Sequence, residues 1–537
     1  MAVEELAVDA AVAEGSPPAS PAYDRMRRLV QAAAVVLTGF LASRILGVVR
    51  NIVIAAHFGA STEYEAYLAA ITVPDLVFQV LVGGAVGSAF IPVFKSYVAR
   101  NDQAGAWHLT TSAINAALVV TGIASVVLAV FARPLMDLYV PGRDEGFRDQ
   151  AASLAQVLLI SPAVFAVSTF CSSVLNSFGR FAVAALAPLM YNLAIIAAAV
   201  YLSGPFGIRG LAYGAVAGAF LHLLVQVPAL WKVGMRWKPR LDLRHPGVRE
   251  VGRLFAPRIF GLGVVQLNQM LSGVLLASFL VRGSVAYLNY AWLMIMTPLA
   301  VAMAVGTAVF PTLSEANSLG RRAQFEQVFL LSLRMILFIT IPASIGLMVL
   351  GVPVISLFFE RGQFGPETTQ ATAYALVFYA IGLAGHATVE IVDRVFYALQ
   401  DTRTPVAVAA GAIAANVVLS LVLMQTPLTF GGLALANSLA ALLEGSVLLV
   451  LIARRLGGLD VERLGRSSLR ILAASLVMAL PIAWLGVNLS PLGQQYGTLG
   501  QAVVVGVCTM IGALLYGAVS LVFGSEEILT LRRFIRR

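Results

Sequence analysis

Charged residues make up only 12% of this 537-residue chain, about half the share found in a soluble domain. Among the charged residues lysine is scarcest, at Lys95, Lys232 and Lys238 alone. None of the three follows a glycine, so the phosphate-cradling GxxxxGK[ST] loop of a nucleotide-driven pump is absent. Cysteine occurs twice, as Cys171 and Cys508, both inside apolar runs. That excludes a disulfide framework and predicts buried free thiols. HExxH, CxxC and EF-hand patterns are missing, so no metal site of those types is supported. No GxSxG elbow supplies a nucleophile. Residues 1–24 hold Glu4, Glu5, Asp9, Glu14 and Asp24 and no basic residue. A secretory signal starts with positive charge, so this segment reads instead as a disordered cytoplasmic tail.

What the chain has in abundance is apolar sequence, 59% of its residues. The runs reach twenty residues or more without alternating, which selects helices over a barrel. The expected fold is an all-α polytopic membrane protein with about fourteen spans. They lie near 29–57, 66–98, 108–139, 152–177, 181–203, 209–233, 250–281, 285–314, 325–350, 367–398, 404–424, 431–455, 468–489 and 498–523. With the N-terminus inside, 25 of the 36 Lys and Arg fall on the cytoplasmic side and six outside. The positive-inside rule therefore puts both termini in the cytoplasm. It also accounts for the net charge of +9 without nucleic acid. The basic tail of Arg532, Arg533, Arg536 and Arg537 suits anionic headgroups.

The chain repeats itself. AYLAAITVPDLVFQVLVGGAVGSAFIPVF, from Ala66, parallels AYLNYAWLMIMTPLAVAMAVGTAVFPTLS, from Ala286, at an offset of 220 at Tyr67 and Tyr287. Asn192 and Asn416 hold similar places in spans five and eleven. Six spans per period give two parallel six-helix lobes, 25–233 and 234–455, with a substrate site between them near the midplane. Residues 456–537 add two further helices.

The first long span, VQAAAVVLTGFLASRILGVVRNIVIAAHFGA, carries Arg44, Arg50 and Asn51. An arginine at the bilayer centre costs at least ~2.5 kcal/mol and faces a cavity or a partner. Six residues amount to about 600° of rotation, so the two arginines look in directions roughly 120° apart. One reading ties them structurally to Glu65 or Asp75 on span two. The other places them on a wall of a cationic cavity. Span seven adds Arg258, Gln266, Asn268 and Gln269, and such a cavity suits a phosphate or sugar headgroup. His386 and Glu390, four apart in span ten, share a face either as a packing pair or as a proton relay. Arg334 in span nine is likewise open to either role. Pro74, Pro92, Pro298 and Pro311 are expected to kink spans two and eight.

Several motifs resemble the MurJ (MviN) family of lipid II flippases, in the multidrug/oligosaccharidyl-lipid/polysaccharide exporter superfamily. They are SRILGVVRNIVIAAHFGA with EAY, VPDLV with GGAVGSAFIPVF, VLNSFGRFAVAALAPLMYN, GSVAYLNYA, LFFERGQF and FYALQDTRTPV. The resemblance runs through spans one to twelve in order. It implies a fourteen-helix transporter, not an enzyme, in the bacterial cytoplasmic membrane. It implies flipping of lipid II, the undecaprenyl-diphosphate-linked muropeptide, by alternating access, powered by membrane potential or a monovalent-cation gradient rather than ATP. Membrane lipids and the cell-wall synthesis machinery are the implied partners.

The family's first-span arginines fall on Arg44 and Arg50, and its carboxylate at the start of span two falls on Glu65. Gln79 stands where an arginine is usual, Gly83 where a glutamate is, and Asn51 where an aspartate is common. The charged pair of span eight falls on Trp292 and Leu293, and a further acid on Met296. Arg258 is a candidate to compensate. The family's cation site in span eleven falls on the neutral Asn416 and Ser420. The lost charges favour one alternative, a flippase of another polyprenyl-linked oligosaccharide. A membrane scaffold has no need of paired arginines inside a span, and a cationic-drug antiporter should carry more acids in its cavity.

Overall fold

The structure is a computed structural model that describes residues 21–83, 85–255, 266, 270–458 and 461–528. Helices are α1 (Pro21–Phe58), α2 (Thr62–Leu81), α3 (Ala85–Ala99), α4 (Gln103–Val130), α5 (Ala132–Tyr139), α6 (Glu145–Leu158), α7 (Ser161–Ser177), α8 (Phe181–Tyr201), α9 (Ile208–Leu224) and α10 (Val227–Lys232). After a π-helical turn at Leu271–Leu275 come α11 (Ser284–Ser318), α12 (Arg322–Val349), α13 (Gly351–Phe359), α14 (Pro366–Ile381), α15 (Leu383–Ala398), α16 (Arg403–Leu423), α17 (Phe430–Arg455) and α18 (Val461–Val522). No strand occurs among the described residues. Among them, 11 helices are long and apolar enough to cross a membrane, or 12 if the bent pair α14 and α15 forms one span. Of the other expected spans, 66–98 is broken between Leu81 and Ala85, and 250–281 lies partly outside the described residues.

Local sequence explains the helix ends. Ser61 accepts the N–H of Tyr64 at 3.2 Å and starts α2. Asp102 caps α4 through the N–H of Gly105 at 2.8 Å, and Asp144 caps α6 through Phe147 at 3.0 Å. A side-chain oxygen at these positions satisfies amides that have no partner within the helix. Pro298 and Pro311 do not interrupt α11, which runs unbroken for 35 residues. Span two breaks at Val82–Gly83, beyond Pro74.

Helices α1 to α9 pack among themselves, as do α11 to α17. Helix α18 is two helices joined by a kink at Gly497, and it packs against α12 and α13. Arg334 anchors it, pairing with Glu527 at 2.5 Å and Glu526 at 3.0 Å. Ser467 donates to the same buried Glu527 at 2.5 Å. The open question over Arg334 thus resolves toward structure. Both cysteines are buried and free.

The two groups of helices meet along a seam at one end, formed by residues 56–65, 140–144, 278–290 and 359–364. Gln363 donates its N–H to the carbonyl of Ala56 at 2.8 Å. Tyr290 donates to the carbonyl of Gly59 at 2.9 Å and stacks on Tyr64 with ring centroids 5.5 Å apart. Gly59 and Gly362 both hold positive φ. A Cβ on Gly59 would lie 2.4 Å from the Gln363 carbonyl oxygen, and one on Gly362 would lie 2.1 Å from that of Ala56. Glycine is what lets the two backbones approach so closely.

Candidate functional site

Arg50 and Asn51 lie side by side near the seam end of α1. The Arg50 guanidinium donates to Asn51 Oδ1 from Nε at 3.3 Å and from Nη2 at 3.2 Å. Arg44, on the same helix, is exposed. Asp75 of α2 and Gln79, one turn on, face a cavity of about 310 Å³ inside the N-terminal group. Ser161 and Thr169 of α7, Tyr191 of α8 and His222 of α9 complete its polar wall. His222 Nδ1 sits 2.6 Å from Ser168 Oγ, which also accepts from Gln226 at 2.7 Å. Of the two carboxylates considered as partners of the first-span arginines, Asp75 faces this cavity.

Glu65 lies elsewhere than on this cavity wall. It is fully buried in the seam, paired with Arg143 at 3.0 Å, and it accepts the N–H of Val285 at 2.8 Å. The carboxylate therefore stands at the N-terminus of α11, where the helix dipole favours a negative charge. Arg143 also donates to the carbonyl of Leu280 at 3.3 Å, so its side chain too bridges the two groups. On the charge distribution alone, Arg143 is one of the six Lys and Arg assigned to the outside.

Gln266 is half-buried in a helical position, while Arg258, Asn268 and Gln269 lie outside the described residues. Asn416 and Ser420 are both buried, and Ser420 donates to Asn416 at 3.4 Å. Trp292, where the resemblance implies a charge in span eight, packs on Tyr379 and His386 with centroids 5.3 Å apart in each case. His386 Nε2 meets Asn437 at 3.1 Å, while Glu390 pairs with Arg394 at 2.5 Å. Among the described residues, no group of three or more His, Cys, Asp or Glu side chains is placed to hold a metal ion.

Two helical groups joined at one end, with arginine, amide and carboxylate side chains inside the apolar framework, define a polytopic membrane transporter. A solved structure of lipid II flippase MurJ in an inward closed conformation shares this fold. Its TM-score is 0.76 at 24% identity, covering 94% of this chain and 100% of that one. An inward-facing multidrug transporter of the MATE family shares it more distantly, with TM-score 0.65 at 15% identity over 77% of this chain and 94% of that one. The family model described as lipid II flippase MurJ matches residues 54–526. The probable lipid II flippase MurJ of Haemophilus influenzae is 30% identical over 470 residues, 82% of this chain and 90% of its own. The lipid II flippase MurJ of Burkholderia cenocepacia is 30% identical over 522 residues, 93% and 99% of the two chains. The chain belongs to the lipid II flippase MurJ family, a family of transporters rather than enzymes.

Proposed function

We propose that this chain moves lipid II from the inner to the outer leaflet of the bacterial cytoplasmic membrane by alternating access. The observation that carries the reading is the seam. Glu65, Arg143, Tyr290, Gly59 and Gln363 close the two helical groups together at one end, which the charge distribution assigns to the outside. Arg44 and Arg50 lie to the other side of that closure along α1. A headgroup entering from the cytoplasm meets the arginines and is barred from leaving outward until the seam parts. Guanidinium groups hold a diphosphate by paired, charge-assisted hydrogen bonds. The substrate is lipid II itself, as the names of the relatives suggest, and the surrounding partners are membrane lipids and the cell-wall synthesis machinery. Both termini are cytoplasmic, and the lobes, 25–233 and 234–455, are parallel repeats.

The test is depletion of a host's own flippase with this gene as rescue, reading lipid II exposed at the outer leaflet. Rescue is expected, with loss in Arg44→Ala and Arg50→Ala at unchanged protein level. Well-expressed protein that fails to rescue would overturn the lipid II assignment. The second reading, another polyprenyl-linked oligosaccharide, draws on Gln79, Trp292 and Leu293, where charges usual in relatives are missing.

A further inference from the structure

A second cavity, of about 390 Å³, opens between the two ends of α18, far along the chain from the arginines of α1. The expected spans thirteen and fourteen, 468–489 and 498–523, begin and end here, on the side that the charge distribution assigns to the cytoplasm. The cavity thus lies where apolar spans give way to headgroups. Arg463, Arg466 and Arg470 are three and four residues apart and share one face of α18. Arg334 reaches the cavity from α12, and Glu526 and Glu527 from the chain beyond α18. Arg334 holds Glu526 at 3.0 Å and Glu527 at 2.5 Å, and Arg463 pairs with Glu526 at 2.5 Å. The two carboxylates are therefore already matched by arginine.

The other two arginines are less committed. Arg466 pairs with the exposed Glu462, and Arg470 donates to the neutral carbonyl of Gly524 at 3.3 Å. An exposed ion pair is weak and easily exchanged for a better anion. Ser525, also on the cavity wall, is 2% exposed, and its hydroxyl has no hydrogen-bond partner among the described residues. A buried hydroxyl is rarely left so. We propose that this cavity binds a phosphate group, with Arg466 and Arg470 as its charged donors and the Ser525 hydroxyl as a neutral one. Guanidinium groups give phosphate oxygens paired, charge-assisted hydrogen bonds. An anionic phospholipid and a soluble phosphate ester present the same group. Leu469, next to Arg470, and Val522, just before the turn at Gly524, are both exposed. They offer apolar surface to acyl chains and favour the lipid as the source. The site uses neither Arg44 nor Arg50, so it stands independently of the flippase reading.

The experiment is calorimetric titration of the purified full-length protein, in a neutral detergent, with short-chain phosphatidylglycerol and separately with glycerol 1-phosphate at matched ionic strength. Saturable binding of the lipid is expected, weakened roughly thirtyfold in Arg466→Gln with Arg470→Gln. Ser525→Ala, which changes no charge, is expected to weaken it several-fold. Arg236→Gln with Arg249→Gln removes the same charge from exposed positions on the same side of the membrane and should bind as wild type does. Tighter binding of glycerol 1-phosphate than of the lipid, with the same response to the variants, would support the site and assign it to a soluble phosphate ester. Equal loss in the two glutamine double variants would reduce the effect to diffuse charge and overturn the proposal. Binding lost in Arg44→Ala with Arg50→Ala but kept in Arg466→Gln with Arg470→Gln would move the phosphate to the first span and overturn it as well. So would the failure of wild type to bind either probe.

Discussion

The carboxylate of Glu65 accepts the backbone N–H of Val285 at 2.8 Å, across the seam between the two groups of helices. The two residues are 220 positions apart, the same offset that relates Tyr67 to Tyr287 in the internal repeat. The start of one helix thus meets the position that the sequence repeat matches to it. Glu65 also neutralises Arg143, whose side chain is 6% exposed. The exposed pair of Arg282 and Asp144 at 2.9 Å contributes far less, about 0–1 kcal/mol.

Glu65→Gln keeps an acceptor for Val285 and strands the Arg143 charge. Breaking a buried pair from one side costs about 3–5 kcal/mol, and here that cost falls on the closed seam. Spin labels on Glu63→Cys and Glu367→Cys, both exposed, with Cys171 and Cys508 replaced by alanine, measure the opening. The distance distribution is expected to move to longer values in Glu65→Gln. An unchanged distribution would show that the pair does not hold the seam.

Gly59→Ala and Gly362→Ala each place a methyl group inside a backbone contact between the two groups and force an L residue into positive φ. The conformational part alone costs about 1 kcal/mol, and the clash adds to it. Both variants are expected to lose rescue of a flippase-depleted host while reaching the membrane in normal amount. Gly47→Ala, with nothing within 4 Å of the added carbon, is the control and should rescue.

Glu527→Gln removes one of the two carboxylates on Arg334 and the acceptor charge for Ser467. Glu526 remains at 3.0 Å, so the loss is expected near the lower end of the range for a buried pair, about 3 kcal/mol. Thermal unfolding in detergent should show a lower Tm. Glu462→Gln, which breaks only an exposed pair with Arg466, should leave Tm nearly unchanged.

The linker between the two groups docks on α4. Asn115 donates to the carbonyls of Lys238 and Arg240 at 2.9 and 2.7 Å, and His108 meets Asp242 at 3.1 Å. Burial, then the neighbouring His108, holds His245 below the usual imidazole range. A docked linker therefore resists a proton that a free linker accepts, so docking weakens as pH falls below the free value of 6.5. Desolvation raises Asp242, but the N–H groups of Arg244 and His245 and the His108 ring together leave it below the ordinary carboxylate range. It stays ionised throughout this window, and His245 governs the response. Hydrogen exchange across the linker, corrected for intrinsic rates, is expected to quicken from about pH 7.5 to about pH 5.5. In His245→Phe it should not.

The fold was largely legible because membrane helices announce themselves as long apolar runs, and a repeat of whole motifs survives reading by eye. Arg44 and Arg50 stood out because charge is rare in such runs. Arg143 did not, since one arginine among several in outer connections carries no mark of its partner 78 positions away. Sequence alone points Glu65 toward the arginines of α1, because the two helices are consecutive; only the approach of α11 shows that it serves the seam. Asp75 was visible as a charge but not as a cavity residue, because that depends on His222 and Tyr191 arriving from later helices. The break in span two falls at Val82–Gly83, between Pro74 and Pro92, and neither proline marks its place.

The central claim is that the arginines of the first span carry a diphosphate lipid across the bilayer. Purified protein in liposomes holding labelled lipid II, free of any host flippase, tests it most directly through the rate at which label appears in the opposite leaflet. Wild type is predicted to speed this movement well above protein-free liposomes, and Arg44→Ala with Arg50→Ala to return it to that background. Equal rates for wild type and the double variant would contradict the account.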